Sequence, residues 1–146
     1  MRFEDLIKEY ENLKFKIRRT HIREQEIREL EGFPISSGVE GMPKSKQNSS
    51  APEKLALKLT EILNERKSLE KKLLSVREQI SRCIDKVTHY AAQEVIETKV
   101  FIPNCGWKYV SKKLCLSIRR VTQLYHEGVA EINKKLGDEL WKKIMF

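Results

Sequence analysis

Apolar residues near the start of the chain recur in alternating steps of three and four. Phe3, Leu6, Tyr10, Leu13 and Ile17 keep that spacing, and the same register runs on through Thr20, Glu24 and Ile27. Residues 2 to 31 contain no Gly or Pro. The pattern therefore predicts one helix of about 45 Å whose apolar seam turns polar toward its far end. Gly32 is expected to stop it. Between Gly32 and Ser50 the composition shifts to Gly, Pro, Ser, Lys and Asn, with Pro34, Gly38, Gly41 and Pro43 breaking any period, which reads as a flexible loop, 32–50.

Ser50-Ala51-Pro52-Glu53 then reads as a helix start, with Ser50 as N-cap, Pro52 tolerated in the first turn and Glu53 closing a capping box. Leu55, Leu59, Ile62, Arg66, Leu69, Leu73, Val76, Ile80, Cys83 and Val87 follow at alternating spacings of four and three. So long a heptad run, with one charged interruption at Arg66, predicts a coiled coil. The linker can fold the first helix back along the second as an antiparallel hairpin, with Arg66 facing Glu24 or Thr20. The same seams could equally pair between chains. Residues 1–87 are expected to be this coiled-coil hairpin and residues 88–146 a separate module.

In that second module a helix is predicted from Thr88 to Ile102, carrying Tyr90, Val95, Ile96, Val100 and Phe101 and ended by Pro103-Asn104-Cys105-Gly106. A short helix, Trp107 to Leu114, presents Trp107, Val110 and Leu114 on one face. After the break Cys115-Leu116-Ser117 comes a longer helix, Ile118 to Leu136, with Val121, Leu124, Tyr125, Val129, Ile132 and Leu136 apolar. Gly137 is expected to cap it, leaving Asp138 to Phe146 as a final amphipathic turn or two that adds Leu140, Trp141 and Ile144 to the core. The fold class is all-α, with a long N-terminal hairpin and a C-terminal helix-turn-helix.

Composition narrows the function. Charged residues make up 34% of the 146 and aromatics only 8%, too surface-rich a chain for a large buried-core enzyme. No window approaches a membrane span, and Met1-Arg2-Phe3-Glu4-Asp5 lacks the basic-then-apolar order of a signal peptide. A cytoplasmic protein is expected. The odd count of cysteines, Cys83, Cys105 and Cys115, fits neither a disulfide framework nor a zinc site, so reduced and mostly buried thiols are expected. Of the net charge of +8, the segment from 107 to 146 holds +5, from nine basic and four acidic residues. A basic end on a nearly balanced N-terminal part suits one end meeting a polyanion and the other meeting protein.

The short helix, three-residue turn and longer helix opening Ser-Ile-Arg-Arg have the layout of a helix-turn-helix. Val110, Leu114, Leu116 and Val121 would form the wedge that sets the interhelical angle. That leaves Ile118, Arg119, Thr122, Gln123 and His126 pointing outward. Arg and Gln have bidentate geometry for guanine and adenine edges, so Ile118, Arg119, Thr122 and Gln123 are the candidate base contacts. Lys108, Lys112, Lys113, Ser117, Arg120 and His126 are the candidate phosphate contacts, with Ser117 also a candidate N-cap. An ordinary packed three-helix unit with a basic surface is the alternative.

The block from Gly106 to Gly137, GWKYVSKKLCLSIRRVTQLYHEGVAEINKKLG, resembles the helix-turn-helix of bacterial sigma factor region 4. The whole chain is similar to phage and prophage late-gene transcription regulators of the ArpU/RinA type, in which a helical hairpin with a Gly/Pro/Ser loop precedes such a module. Gly128 inside the recognition helix departs from the pattern, costing about 1 kcal/mol of helix propensity relative to Ala. The resemblance implies a sequence-specific DNA-binding regulator that activates packaging, morphogenesis or lysis genes in the nucleoid of a bacterial host. Its partners would be double-stranded DNA, a second copy through the coiled coil, and possible contact with bacterial RNA polymerase. A small-terminase-like packaging protein and a coiled-coil adaptor without specific DNA binding are the alternatives.

Enzyme chemistry is not expected. His21, His89 and His126 fall on three different predicted helices without metal-ligand spacing and read as surface or capping residues. No Gly-rich phosphate loop or nucleophile motif is present. Neither a cofactor nor a metal is expected. Trp107 and Trp141 read as core anchors, and the apolar stripes are spoken for by packing, which argues against a membrane role.

Overall fold

The computed structural model describes residues 2–32 and 50–145. The expected loop between Gly32 and Ser50 lies outside the described residues, as does the Ser50 side chain of the expected capping box. Five α-helices follow one another: α1 (Phe3–Gly32), α2 (Ser50–Asp85), α3 (Tyr90–Phe101), α4 (Trp107–Leu114) and α5 (Ile118–Met145). No strand occurs among the described residues, so the fold is all-α. The chain forms two compact units, Glu11–Leu74 in one and Met1–Tyr10 with Ser75–Phe146 in the other.

In the unit of residues 11–74, α1 and α2 pair within the one chain. Thr20 meets Arg66, while further along α1 Ile27 shares a groove with Ile62, so the two helices run antiparallel. The heptad interruption is where the polar contact forms. Arg66 donates through Nε to Thr20 Oγ1 at 3.1 Å and through its terminal nitrogen to Glu24 at 2.5 Å. Thr20 is buried, and its hydroxyl donates in turn to the Ile17 carbonyl at 2.6 Å. Arg28 closes on Glu24 from the same helix at 3.0 Å. Both guanidinium groups donate to the Glu24 carboxylate, Arg66 most strongly, and hold it below the usual carboxylate range.

The seam is less deeply buried than its periodicity predicts. Leu13, Ile27 and Leu69 are buried, but Leu55, Leu59, Ile62 and Leu73 are only half-buried. A seam between two helices covers each side chain from one direction, and water reaches the other. Burial of the heptad positions Leu59 and Leu73 is what a coiled-coil seam implies, and both are only half-buried.

The other unit gathers the first turns of α1, the end of α2, and α3 to α5. Its core is formed by Phe3, Leu6 and Tyr10 from α1, Val76, Ile80, Cys83 and Ile84 from α2, and the inner faces of α3 and α5. Polar contacts fasten its edges. The Phe3 backbone N–H donates to Asn133 Oδ1 at 2.8 Å, which supplies a partner for one of the free donors at the start of α1, and the Asn133 amide donates to Glu4 at 2.9 Å. Glu131 accepts from both the backbone and the hydroxyl of Thr88. Partial burial would raise this carboxyl, but the bonds from Thr88 and Lys135 outweigh it and leave its pKa low. His89 caps α3, its Nδ1 accepting from Ala92 N at 3.4 Å.

The last helix differs from expectation at its end. Gly137 does not cap it, and α5 runs unbroken to Met145. Gly in a helix costs only about 1 kcal/mol, and the Lys86–Glu139 ion pair at 2.6 Å ties down the turn that follows. Nor do Leu140, Trp141 and Ile144 join the core, being 53%, 62% and 69% exposed. The buried stripe of Val121, Leu124, Gly128 and Ile132 continues at helical spacing into Lys135, Leu136, Glu139 and Lys143, so the later apolar residues fall on the opposite side. Of the thiols, Cys83 and Cys105 are buried, whereas Cys115 is exposed in the turn between α4 and α5.

Candidate nucleic-acid interface

The α4 helix, the turn after it and the start of α5 fall where the spacing predicts. Gly106 precedes α4 in an extended conformation, and Cys115 ends it in the left-handed region at φ 57°. A non-glycine residue there turns the chain in one step. Ser111 holds that turn. Its carbonyl accepts the Leu116 N–H at 3.1 Å, and its hydroxyl donates to the Leu116 carbonyl. Ser117 then caps α5, its Oγ accepting from Arg120 N at 3.1 Å.

Behind the turn, Val110, Val121 and Leu124 are buried, while Leu114 and Leu116 are half-buried. Trp107 is half-buried too, with its ring edge-on to Tyr125 at 5.3 Å and Lys99 Nζ 4.8 Å above it. Lys99 also donates to the Cys105 carbonyl at 2.6 Å, so the Trp107 ring, the loop before it and α3 are joined. The Tyr125 hydroxyl is pushed up by burial. At Gly128 α5 lies close against α3: a Cβ there would lie 2.5 Å from Ile96 Cδ1 and 3.4 Å from Ala92 Cβ. The start of α5 is thus set on a packed support.

Of the candidate base contacts, Ile118, Arg119 and Gln123 are exposed and Thr122 is half-buried. The Thr122 hydroxyl donates to the Ile118 carbonyl at 2.7 Å, so its methyl and oxygen lone pairs are what it offers outward. Gln123 is held in a short polar row: its oxygen accepts from Arg120 at 3.5 Å and its amide donates to Glu127 at 3.2 Å. Lys108, Lys112, Arg120 and His126 are exposed, as is Ser117. Lys113 is exposed too, and it lines a groove together with Arg77, Glu94, Glu97 and Phe101.

Neither α4 nor α5 carries an acid in its first turn. The positive end of the α5 dipole therefore adds to Arg119 and Arg120, an arrangement that favours an anion. Two features are not evident in the periodicity. Tyr109, half-exposed at 50% between Lys108 and Lys112, lies off the Trp107–Val110–Leu114 stripe, and that displacement was its one signal. Ser111 as the turn lock had none, since a mid-helix serine has no fixed role.

Among the described residues, no helix is long and apolar enough to cross a membrane, and no group of three or more His, Cys, Asp or Glu could hold a metal ion. No protein-family model, curated protein or solved structure matches the chain.

Proposed function

We propose that the protein binds double-stranded DNA in a sequence-specific manner through α4 and α5 and regulates transcription. The observation that carries the reading is the face of α5 opposite its buried stripe. It presents Arg119 and Gln123 within the first two turns, directly after a capped turn and beside Lys108 and Lys112. Base edges are read by the first turns of such a helix, while the helix before it crosses the phosphates. The resemblance to late-gene regulators of phages extends the proposal to activation of packaging, morphogenesis or lysis genes, with bacterial RNA polymerase as a further partner.

The test is selection of a preferred duplex from a random pool, followed by titration of that duplex and of random DNA at one fixed salt concentration. Arg119→Ala and Gln123→Ala should each lose about 1 to 3 kcal/mol on the selected site and much less on random DNA. Lys112→Ala should weaken both and lower the salt slope by about one unit. Equal losses on both DNAs for Arg119→Ala and Gln123→Ala would overturn the recognition-helix assignment.

A further inference from the structure

Glu127 is the one acid from Trp107 to Ala130, a stretch that also holds Lys108, Lys112, Lys113, Arg119 and Arg120. It is exposed on the third turn of α5, where a carboxylate close to phosphates weakens binding to any duplex. The positions one helical turn away on either side, Gln123, Leu124, Ala130 and Glu131, hold no cation to pair with it. Its hydrogen bond goes to Gln123, whose amide nitrogen donates to Glu127 Oε1 at 3.2 Å.

That bond fixes which way the amide faces. An ionised carboxylate only accepts and a guanidinium only donates. Glu127 therefore takes the nitrogen end of Gln123, and Arg120, with a terminal nitrogen 3.5 Å from the Gln123 oxygen, takes the other end. Each contact uses one of the amide's two N–H groups or one of its oxygen's two lone pairs, so one donor and one acceptor are left over. Adenine presents the matching pair in the major groove, an N7 acceptor and an N6 donor, whereas guanine presents two acceptors, N7 and O6. An amide that turns over freely spends part of its time with oxygen and nitrogen exchanged, which sets its oxygen against adenine N7. Guanine takes a single N–H in either orientation and loses nothing. Holding the amide one way round thus favours adenine over guanine.

We infer that Glu127 is a positioning residue that holds the Gln123 amide for an adenine. This rests on the proposed reading of base edges by α5, and it names the base that the Gln123 position selects. It also accounts for a lone carboxylate among basic residues. Arg120 serves both roles, because its guanidinium has five N–H donors and keeps others for a phosphate.

The test has one arm without DNA and one with it. In the free protein, NMR relaxation should show the Gln123 side-chain amide more ordered than in Glu127→Ala, with helicity by circular dichroism the same in both. On a duplex selected from a random pool, the base pair whose exchange no longer matters in Gln123→Ala is the one that Gln123 reads, and it should carry adenine. Glu127→Ala should bind random DNA more tightly through the lost negative charge, while its preference for adenine over guanine at that pair falls about twofold, the size of one helical side-chain pair. Glu127→Gln, which donates as well as accepts and so admits both amide orientations, should lose the same preference. An equal change on the adenine and guanine duplexes, a Gln123-dependent pair without adenine, or an amide equally mobile in both proteins would each overturn the inference alone. A pool that yields no preferred duplex would overturn the DNA reading itself, and the adenine assignment with it.

Discussion

Gly128 of α5 rests against Ile96 of α3 at a distance that leaves no room for a side chain, since a Cβ would come within 2.5 Å of Ile96 Cδ1. The glycine that looks like a flaw in a recognition helix is therefore what lets the helix lie close to its support. Ile96 is fully buried, so its terminal methyl would have to move within close-packed neighbours. Gly128→Ala should accordingly lower stability, because an overpacking cost of about 1–3 kcal/mol exceeds the about 1 kcal/mol gained in helix propensity. Ile96→Val in the same chain should recover most of the loss. Chemical denaturation of the two variants checks both.

The contact of Arg66 with Glu24 has a pH signature. The Glu24 pKa lies below its ordinary value, so the stabilisation it contributes is complete above the unfolded carboxylate pKa of about 4.3 and is lost as pH falls through the folded value. Glu24→Gln should melt earlier than the parent protein at neutral pH. Its deficit should shrink as the pH is taken below about 4, which melting curves over an acid series would record. A constant deficit would mean that Glu24 contributes by packing alone.

Leu69 and Leu74 on α2 separate seam from surface. Leu69 is 8% exposed and Leu74 66%. Leu69→Ala should cost about 2 kcal/mol or more, at the low end of buried leucines because the seam is covered from one side. Leu74→Ala should stay within about 0.5 kcal/mol. Urea unfolding of the two variants compares them directly.

Ser111 is expected to matter more than a helical serine would. Its hydroxyl donates to the Leu116 carbonyl across the turn, so Ser111→Ala removes a bond that holds α4 to the start of α5. The loss should be about 0.5–1.5 kcal/mol in stability. Amide exchange should quicken at Leu116 while the middle of α5 keeps its protection.

The local spacing of apolar residues determined much of this protein. The steps of three and four from Phe3 to Ile27 and from Leu55 to Cys83 each became a helix, because burying one stripe is the way such a pattern leaves water. Trp107 to Leu114 and the turn that follows were legible for the same reason, with Ser117 as a cap. What lay beyond the sequence depended on distance between parts far apart along it. The facing of Arg66 with Thr20 and Glu24 was legible from the seams, but that it forms within one chain, the tie from Asn133 to the start of α1, and the space that Gly128 leaves for Ile96 all depend on how helices lie against each other. The end of α5 shows the difference most clearly. Leu140, Trp141 and Ile144 have core composition, but a straight helix carries its buried face by angle and not by residue type, and Gly137 did not break the helix to turn them inward.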